Sequence, residues 1–299
     1  MDVRHSNHRI GWIGAGKMGG PMVKNLLTNS ASVCVSDPDP AAVAMVVAKG
    51  ATAATMLADM ADMDVVFSTL PNDQALMNVI RGTADQKGLA EILVKGAIFV
   101  DMSTVSPEAS SKVSEILEEY HISYIRAPLS GSTVMAENAT LTVLASGDEA
   151  AWQTVLPYIK MMSQRQFHLG FGDEARYMKL VINTLVGGLS ALLAEALSLG
   201  QSGGLTRASM MEVIGESAVA SPLLKYKTTT VVEDDFSPAF TVEQMIKDFT
   251  LISDAARSKG VPLLTTGLIL ELYRAAANAG LKDADFFALV KWHSDMSLQ

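Results

Sequence analysis

The chain has 299 residues and a formal net charge of -9 at neutral pH, and 49% of its residues are hydrophobic against 18% charged. This composition supplies enough apolar material for a sizeable core, which excludes a disordered chain and favours two folded domains. The acidic balance disfavours nucleic acid as a partner, because binding its phosphate backbone requires clustered cations.

The single cysteine, Cys34, excludes an intramolecular disulfide and a thiolate zinc site, and it suggests a reducing compartment. The polar residues 1–9 lack the apolar core of a secretory signal, so we expect a short loose arm on a cytoplasmic protein. The apolar stretch 180–199 is interrupted by Asn183 and Glu195, which favours a buried helix over a membrane span. The five histidines are scattered, and we expect no metal site.

From residue 9 to about residue 168, short β-branched runs alternate with helical stretches, a pattern typical of a parallel sheet covered by helices. Strands are predicted at 10–13, 32–36, 65–68, 98–101, 122–126, 141–145 and 166–168. After residue 172 the periodicity is helical to the end of the chain. The predicted fold is therefore α/β: a doubly wound parallel sheet in residues 1–171, then an all-α domain in residues 172–299 that opens with a long helix.

Three glycines, Gly14, Gly16 and Gly19, form a G-x-G-x-x-G pattern directly after the first strand and at the start of a helix. They would allow, in turn, a tight turn, close approach of the backbone to a pyrophosphate and close packing of helix on strand. Asp37 ends the second strand, where a carboxylate accepts hydrogen bonds from the ribose of NAD and repels the 2′-phosphate of NADP. We predict a Rossmann-type dinucleotide site that prefers NAD; alternatively, Asp37 serves only the turn before Pro38.

The first helix carries further residues of a longer motif: Met18, Pro21, Met22, Asn25 and Leu26. With them the segment resembles the opening motif of the β-hydroxyacid dehydrogenase family, which includes 3-hydroxyisobutyrate dehydrogenase and tartronate semialdehyde reductase, and the likeness spans nearly the full chain. The resemblance implies hydride transfer between NAD(H) and a small 3-hydroxy acid or its semialdehyde. It also implies a homodimer or homotetramer, and cofactor contacts from Ala15, Lys17 and Met18.

Three further segments resemble the family's cofactor-binding parts. The loop after the third strand implies contacts from Leu70, Pro71 and Asn72, and the segment 101–104 implies that Thr104 reaches the nicotinamide side. The segment 239–248 implies that Lys247 reaches the cofactor and substrate region. The alternative for Lys247 is a solvated helix lysine paired with a neighbouring acid.

The segment 127–132 resembles the family's substrate segment, and Ser130 and Gly131 match it. Ser132 stands where most members carry a second glycine, and the stretch 135–139 also departs from the family. We predict that Ser130, Gly131 and Ser132 follow a strand in a loop, where hydroxyls and backbone N–H groups hold a substrate carboxylate. The alternative is an ordinary turn, and a nucleophilic serine is not expected because no G-x-S-x-G elbow surrounds Ser130.

The segment 172–183 resembles the family's catalytic segment, with Lys179 and Asn183 in K-x-x-x-N spacing, although the glycines usual near the lysine are missing. Hydride transfer leaves a proton to be moved on the alcohol oxygen, so a positioned acid or base is needed. The resemblance implies that Lys179 has this role. Asn183 lies one helical turn further on the same face, where both side chains can contact a substrate oxygen, and Arg176 shares that face.

Two other functions stay open. An imine reductase has the same predicted architecture, but the presence of Lys179 argues against it. A non-catalytic protein that binds the dinucleotide as a sensor or scaffold is disfavoured by the intact Lys179 and Asn183.

Overall fold

The computed structural model describes residues 8–29 and 31–297. Most of the predicted N-terminal arm, residues 1–7, lies outside the described residues. The chain forms two compact units, of which the first ends at Lys179 and the second begins at Leu180.

The described part of the first unit contains a nine-stranded sheet in the order β11-β10-β8-β7-β4-β1-β2-β3, with β9 on β10, and a separate β5-β6 hairpin. The strands are β1 Ile10–Ile13, β2 Val33–Ser36, β3 Thr52–Ala53, β4 Val65–Ser68, β5 Gly82–Thr83, β6 Gln86–Lys87, β7 Ile98–Asp101, β8 Ser123–Arg126, β9 Leu129–Ser130, β10 Leu141–Gly147 and β11 Ser163–His168. From β3 to β8 every neighbouring pair is parallel, which confirms the predicted doubly wound sheet. Strand β10 departs from it by running antiparallel to β8.

The seven predicted strands are all present, but the short strands β3, β5, β6 and β9 were not predicted. Strand β9 corrects the prediction that Ser130 lies in a loop, because Leu129 and Ser130 pair antiparallel with Val143 and Thr142. A two-residue strand is too short to show alternation in the sequence, and its pairing with β10 decides its conformation.

The helices are α1 Gly19–Thr28, α2 Pro40–Val47, α3 Asp73–Arg81, α4 Leu89–Ile92, α5 Pro107–Glu119, α6 Thr133–Glu137, α7 Glu149–Met162, α8 Glu174–Ser202, α9 Arg207–Glu216, α10 Pro222–Val232, α11 Val242–Ser258, α12 Leu264–Ala276 and α13 Leu289–Ser297. Short 3-10 turns occur at Leu57–Met60 and Phe286–Ala288, and a π turn at Ala277–Leu281. Helix α5 begins at a proline, and the side chain of Ser106 accepts a hydrogen bond from the Ala109 N–H, as capping rules require.

Side chains of the central strands alternate between two cores, one on each face of the sheet. Trp12 and Phe67 stack in one core, whereas Ile13 and Val66 belong to the other. The Trp12 indole also donates a hydrogen bond of 2.8 Å to the carbonyl of Gly14, just beyond the end of β1. The packed core therefore fixes the start of the glycine-rich loop.

The carboxyl ends of β1, β4 and β7 lie side by side at the point where the strand order reverses. Their last residues, Ile13, Ser68 and Asp101, are in register with one another. Open α/β sheets bind ligands at this point, because the loops that follow the strands diverge there.

The described residues of the second unit form helices, with one isolated bridge between Thr241 and Asp285. Its core includes Phe249 and Tyr273, and the Tyr273 hydroxyl donates to the carbonyl of Gly187. The all-helical prediction for this half of the chain is confirmed.

Helix α8 is only partly buried, contrary to the prediction for residues 180–199. Among the described residues it is the one helix long and apolar enough to cross a membrane, and 44% of its most apolar window is buried. Leu185, Leu192 and Leu199 are 69%, 61% and 76% exposed and repeat every seven residues, whereas Asn183 and Ser190 lie buried on another face. The sequence showed how apolar this helix is but not which leucines find a packing partner.

A buried ion pair joins α10 to the turn before α13. The Lys227 ammonium lies 2.6 Å from an Asp285 carboxylate oxygen, and both residues are at least 95% buried. Replacing Lys227 by Met leaves Asp285 charged, buried and unpaired, so we expect the free energy of unfolding to fall by about 3–5 kcal/mol. Chemical denaturation followed by circular dichroism would measure this change.

The matched control is Lys291→Met, since the Lys291–Asp234 pair is exposed and we expect a change below about 1 kcal/mol. Equal effects of the two substitutions would contradict a stabilising role for the Lys227 pair.

Candidate active site

The glycine-rich loop has a backbone that tolerates no side chain at two of its three glycines. Gly14 has φ of 90°, donates to the Ser36 carbonyl and accepts from the Thr69 hydroxyl. A Cβ at Gly14 would overlap the Thr69 carbonyl, and one at Gly19 would overlap the Gly14 carbonyl. The fold itself therefore requires glycine at positions 14 and 19.

Gly16 differs, because a Cβ built there meets no heavy atom of the described chain within 4 Å. Gly16 and Lys17 are exposed, and α1 begins two residues later. No side chain of the described residues caps α1, and its first turn carries no carboxylate. The open backbone and the uncapped helix start fit a phosphate group of a dinucleotide, which the helix N–H groups would bind.

Asp37 lies beside this loop, as the sequence predicts. One oxygen of its carboxylate accepts a 2.6 Å hydrogen bond from the Ala15 N–H, and the other accepts from the Asp39 N–H at 2.8 Å. The carboxylate therefore holds the loop in shape, and its remaining lone pairs can accept further hydrogen bonds.

The loop after β4 is tied to the loop after β7. The Leu70 N–H donates a 2.7 Å hydrogen bond to the Ser103 hydroxyl, next to Thr104. Asn72 caps α3 by accepting from the Ala75 N–H, and Pro71 is exposed. The predicted cofactor-binding residues of the two loops thus lie near the carboxyl ends of adjacent strands.

The predicted substrate segment has a different conformation from the expected loop. Ser130 is half-buried in β9, and Gly131 follows with φ of 141°. Ser132 is the N-cap of α6, where its hydroxyl accepts from the Met135 N–H. Asn25 of α1 donates to the carbonyl of Ala136, so this segment is tied to the helix that follows the glycine-rich loop.

Arg176 and Lys179 lie three residues apart on α8, but they differ in burial. Lys179 is half-buried, whereas Arg176 is 1% exposed and its guanidinium is bound to Asp101. Arg176 was predicted to share a helix face with Lys179. The burial of its guanidinium in the first unit was not predicted.

Asn183 lies on α8 one helical turn beyond Lys179 and is buried in the second unit. Its Nδ2 donates to one oxygen of Asp248 on α11. The other Asp248 oxygen lies 3.2 Å from the Lys247 ammonium, so the predicted alternative of a lysine beside a neighbouring acid is present. The structure thus brings Asn183 and Lys247 to the same carboxylate.

Asp248 was absent from the predicted site residues, although the sequence carries a signal for it. Val242, Met245, Phe249 and Ile252 form the buried stripe of α11, and Asp248 falls within that stripe. A carboxylate on the apolar face of a helix requires a polar partner, and here the partner is Asn183.

Comparisons with known proteins agree over both units. A family model described as the NAD-binding domain of 6-phosphogluconate dehydrogenase matches residues 9–170. A second model, described as "NAD-binding of NADP-dependent 3-hydroxyisobutyrate dehydrogenase", matches residues 174–293.

Individual proteins show the same relationship over nearly the full length. 2-(Hydroxymethyl)glutarate dehydrogenase of Eubacterium barkeri is 34% identical, covering 97% of this chain and 96% of that protein. Glyoxylate/succinic semialdehyde reductase 2 of Arabidopsis thaliana is 29% identical, covering 94% and 78%. The crystal structure of 3-hydroxyisobutyrate dehydrogenase from Salmonella typhimurium is 26% identical with a TM-score of 0.85, covering 95% and 99%. The chain therefore belongs to the β-hydroxyacid dehydrogenase family.

Proposed function

We propose that the chain is an NAD(H)-dependent oxidoreductase that interconverts a small 3-hydroxy acid and its semialdehyde. The observation that carries this proposal is the placement of Lys179 and Asn183 on successive turns of α8, with Asn183 oriented by a buried carboxylate. The names of the relatives, a hydroxy acid dehydrogenase and a semialdehyde reductase, support the substrate class.

A nicotinamide dinucleotide held by the glycine-rich loop would supply or accept the hydride, and the chain must manage the accompanying proton. Lys179 donates a proton from its ammonium group to the substrate oxygen during reduction and accepts that proton as an amine during oxidation.

Asn183 binds the same substrate oxygen. A carboxylate only accepts hydrogen bonds, so Asp248 must face the Nδ2 group of Asn183, which fixes how the amide is turned. The second Nδ2 hydrogen is then available to the substrate. Lys247, beside the same carboxylate, adds positive charge that suits an anionic substrate or cofactor.

The substrate carboxylate is assigned to the segment Ser130–Ser132. The Ser130 hydroxyl and the backbone N–H groups around Gly131 are donors suited to an anion. The Ser132 hydroxyl accepts from the Met135 N–H as the N-cap of α6, and its O–H group can still donate to the substrate carboxylate.

Replacement of Lys179 by Ala removes the proposed acid/base. We expect kcat to fall by about 100-fold or more, because general acid–base catalysis supplies that much, while NADH binds as before. Steady-state rates with C3 and C4 hydroxy acids and semialdehydes, followed by NADH absorbance, and NADH titration would measure both quantities.

The control is Lys112→Ala, which removes an exposed helix lysine paired with Glu108 and should leave both quantities unchanged. Normal turnover of the Lys179→Ala variant would overturn the proposed mechanism. Reduction of cyclic imines but not of semialdehydes would favour the imine reductase alternative.

Gly16→Ala tests the phosphate-binding role of the loop. We expect unchanged thermal stability, because the added methyl meets no protein atom, and NADH binding weakened by about tenfold or more, because it blocks the pyrophosphate. Calorimetric titration and a thermal melt would show both.

Gly19→Ala is the contrasting variant: its methyl overlaps the Gly14 carbonyl, so the melting temperature itself should fall. Undiminished NADH binding by Gly16→Ala would contradict the assignment.

Asp37→Asn tests the preference for NAD. The amide oxygen can still accept from the Ala15 N–H and only the exposed bond from the Asp39 N–H is lost, whereas the charge that repels a 2′-phosphate is removed. We expect the ratio of kcat/KM for NAD to that for NADP to fall by about tenfold, mainly through NADP. An unchanged NAD-to-NADP ratio of kcat/KM would mean that Asp37 only holds the loop in shape and does not select the cofactor.

A further inference from the structure

A buried arginine lies one helical turn before Lys179. We propose that Arg176 is a positioning residue: its ion pair with Asp101 fixes the start of α8, and therefore Lys179, against the loops that follow β4 and β7. This inference rests on the proposed function, in which Lys179 moves the proton. All the groups that make up the network lie in the first unit.

The Arg176 guanidinium is bound along its whole edge. Nη2 donates to Asp101 at 2.5 Å and to the Tyr124 hydroxyl at 2.8 Å. Nη1 donates to the carbonyl of Ser103 at 2.7 Å, and Nε lies 3.3 Å from the Ser110 hydroxyl. Since Arg176 is 1% exposed and Asp101 fully buried, water cannot replace these partners.

Asp101 links Arg176 to the predicted cofactor loops through hydrogen bonds. Its second oxygen accepts from the Ser68 hydroxyl at the end of β4 and from the Ser103 hydroxyl. The Ser103 hydroxyl in turn accepts from the Leu70 N–H. A continuous chain of hydrogen bonds therefore runs from Leu70 to Arg176 on α8.

A second pair holds the residue just before α8. Asp173 accepts 3.0 Å and 2.6 Å hydrogen bonds from Arg126 and from the Ser110 hydroxyl. Arg126 also lies over the Tyr124 ring, 4.4 Å from its centre. Attachment at 173 and again at 176 fixes both the direction of the helix and its rotation about its axis.

Lys179 follows Arg176 by three residues, so it projects from nearly the same side of α8, about 4.5 Å further along the axis. Any rotation of the helix would move both side chains together. A displacement of about 1 Å at a catalytic group can lower a rate by about 100-fold. The Arg176–Asp101 ion pair therefore affects the rate by fixing the position of Lys179.

The network also favours arginine over lysine at this position. The planar guanidinium reaches four separate acceptors, whereas an ammonium group has three donors and no fixed plane. Burial raises the pKa of the Tyr124 phenol, which keeps it a neutral partner for Arg176. A lysine at 176 would retain the charge and lose most of the fixed geometry.

The test compares Arg176→Met with Lys227→Met, which breaks a buried ion pair of similar burial outside the site. Both variants should melt at lower temperature. Only Arg176→Met should lose kcat, by about 100-fold at a temperature where both are folded, with substrate KM and NADH Kd within about threefold of the parent. Arg176→Lys should recover part of the lost kcat, and it carries the test if Arg176→Met does not fold.

A double variant tests whether Arg176 acts through Lys179. In a Lys179→Ala background, Arg176→Met should cause no further loss of kcat, because the group it positions is absent. Independent, multiplicative losses would overturn the inference, as would equal kcat losses in Arg176→Met and Lys227→Met, or a loss of NADH affinity that accounts for the rate.

These outcomes separate the two proposals. Normal turnover of Lys179→Ala alone refutes the proposed function itself. A large loss in Lys179→Ala together with normal kcat in Arg176→Met refutes only the positioning role.

Discussion

The hydrogen-bond register of the parallel strands is the constraint on which the rest of the first unit depends. It places the last residues of β2, β1, β4, β7 and β8 in one row across the sheet. Four of these row residues are polar: Ser36, Ser68, Asp101 and Arg126. The loops that begin after the row share its hydrogen bonds, so the glycine-rich loop, the Leu70 loop and the start of α8 are held by neighbouring strands of one rigid sheet.

The charges in and next to this row compensate one another. Asp101 and Asp173 are matched by Arg176 and Arg126, and the hydroxyls between them use the remaining lone pairs. Removing one member of such a group would leave an uncompensated charge in a poorly solvated site. The second unit shows the same rule at Asp248, whose two oxygens face Asn183 and Lys247. In the first unit Asp101 holds Arg176, the proposed positioning residue, and in the second unit Asp248 holds Asn183, to which a catalytic role is proposed.

Sequence alone predicted the features that local patterns determine. Each β-branched run became a strand, and the glycine spacing identified the loop after β1, because turn and helix-start chemistry are local. Pairings between distant segments were not predictable: Ser130 joins a strand through β10, and Asn183 meets Asp248 from another helix. The burial of Arg176 was missed for the same reason, since its partner lies on a strand far away in sequence. The exposed leucines of α8 show that apolar periodicity identifies a helix without showing what covers it.

Gly16 has a consequence for how relatives of this chain diverge. The backbone geometry demands glycine at positions 14 and 19, whereas at 16 an added Cβ meets no described atom within 4 Å, so only the proposed cofactor phosphate would require glycine there. A descendant that abandoned its cofactor would keep the outer two glycines to preserve its turn and would accumulate other amino acids at the middle one. If Gly16 has the proposed role, the residue at this one position would distinguish relatives that kept the dinucleotide from those that lost it.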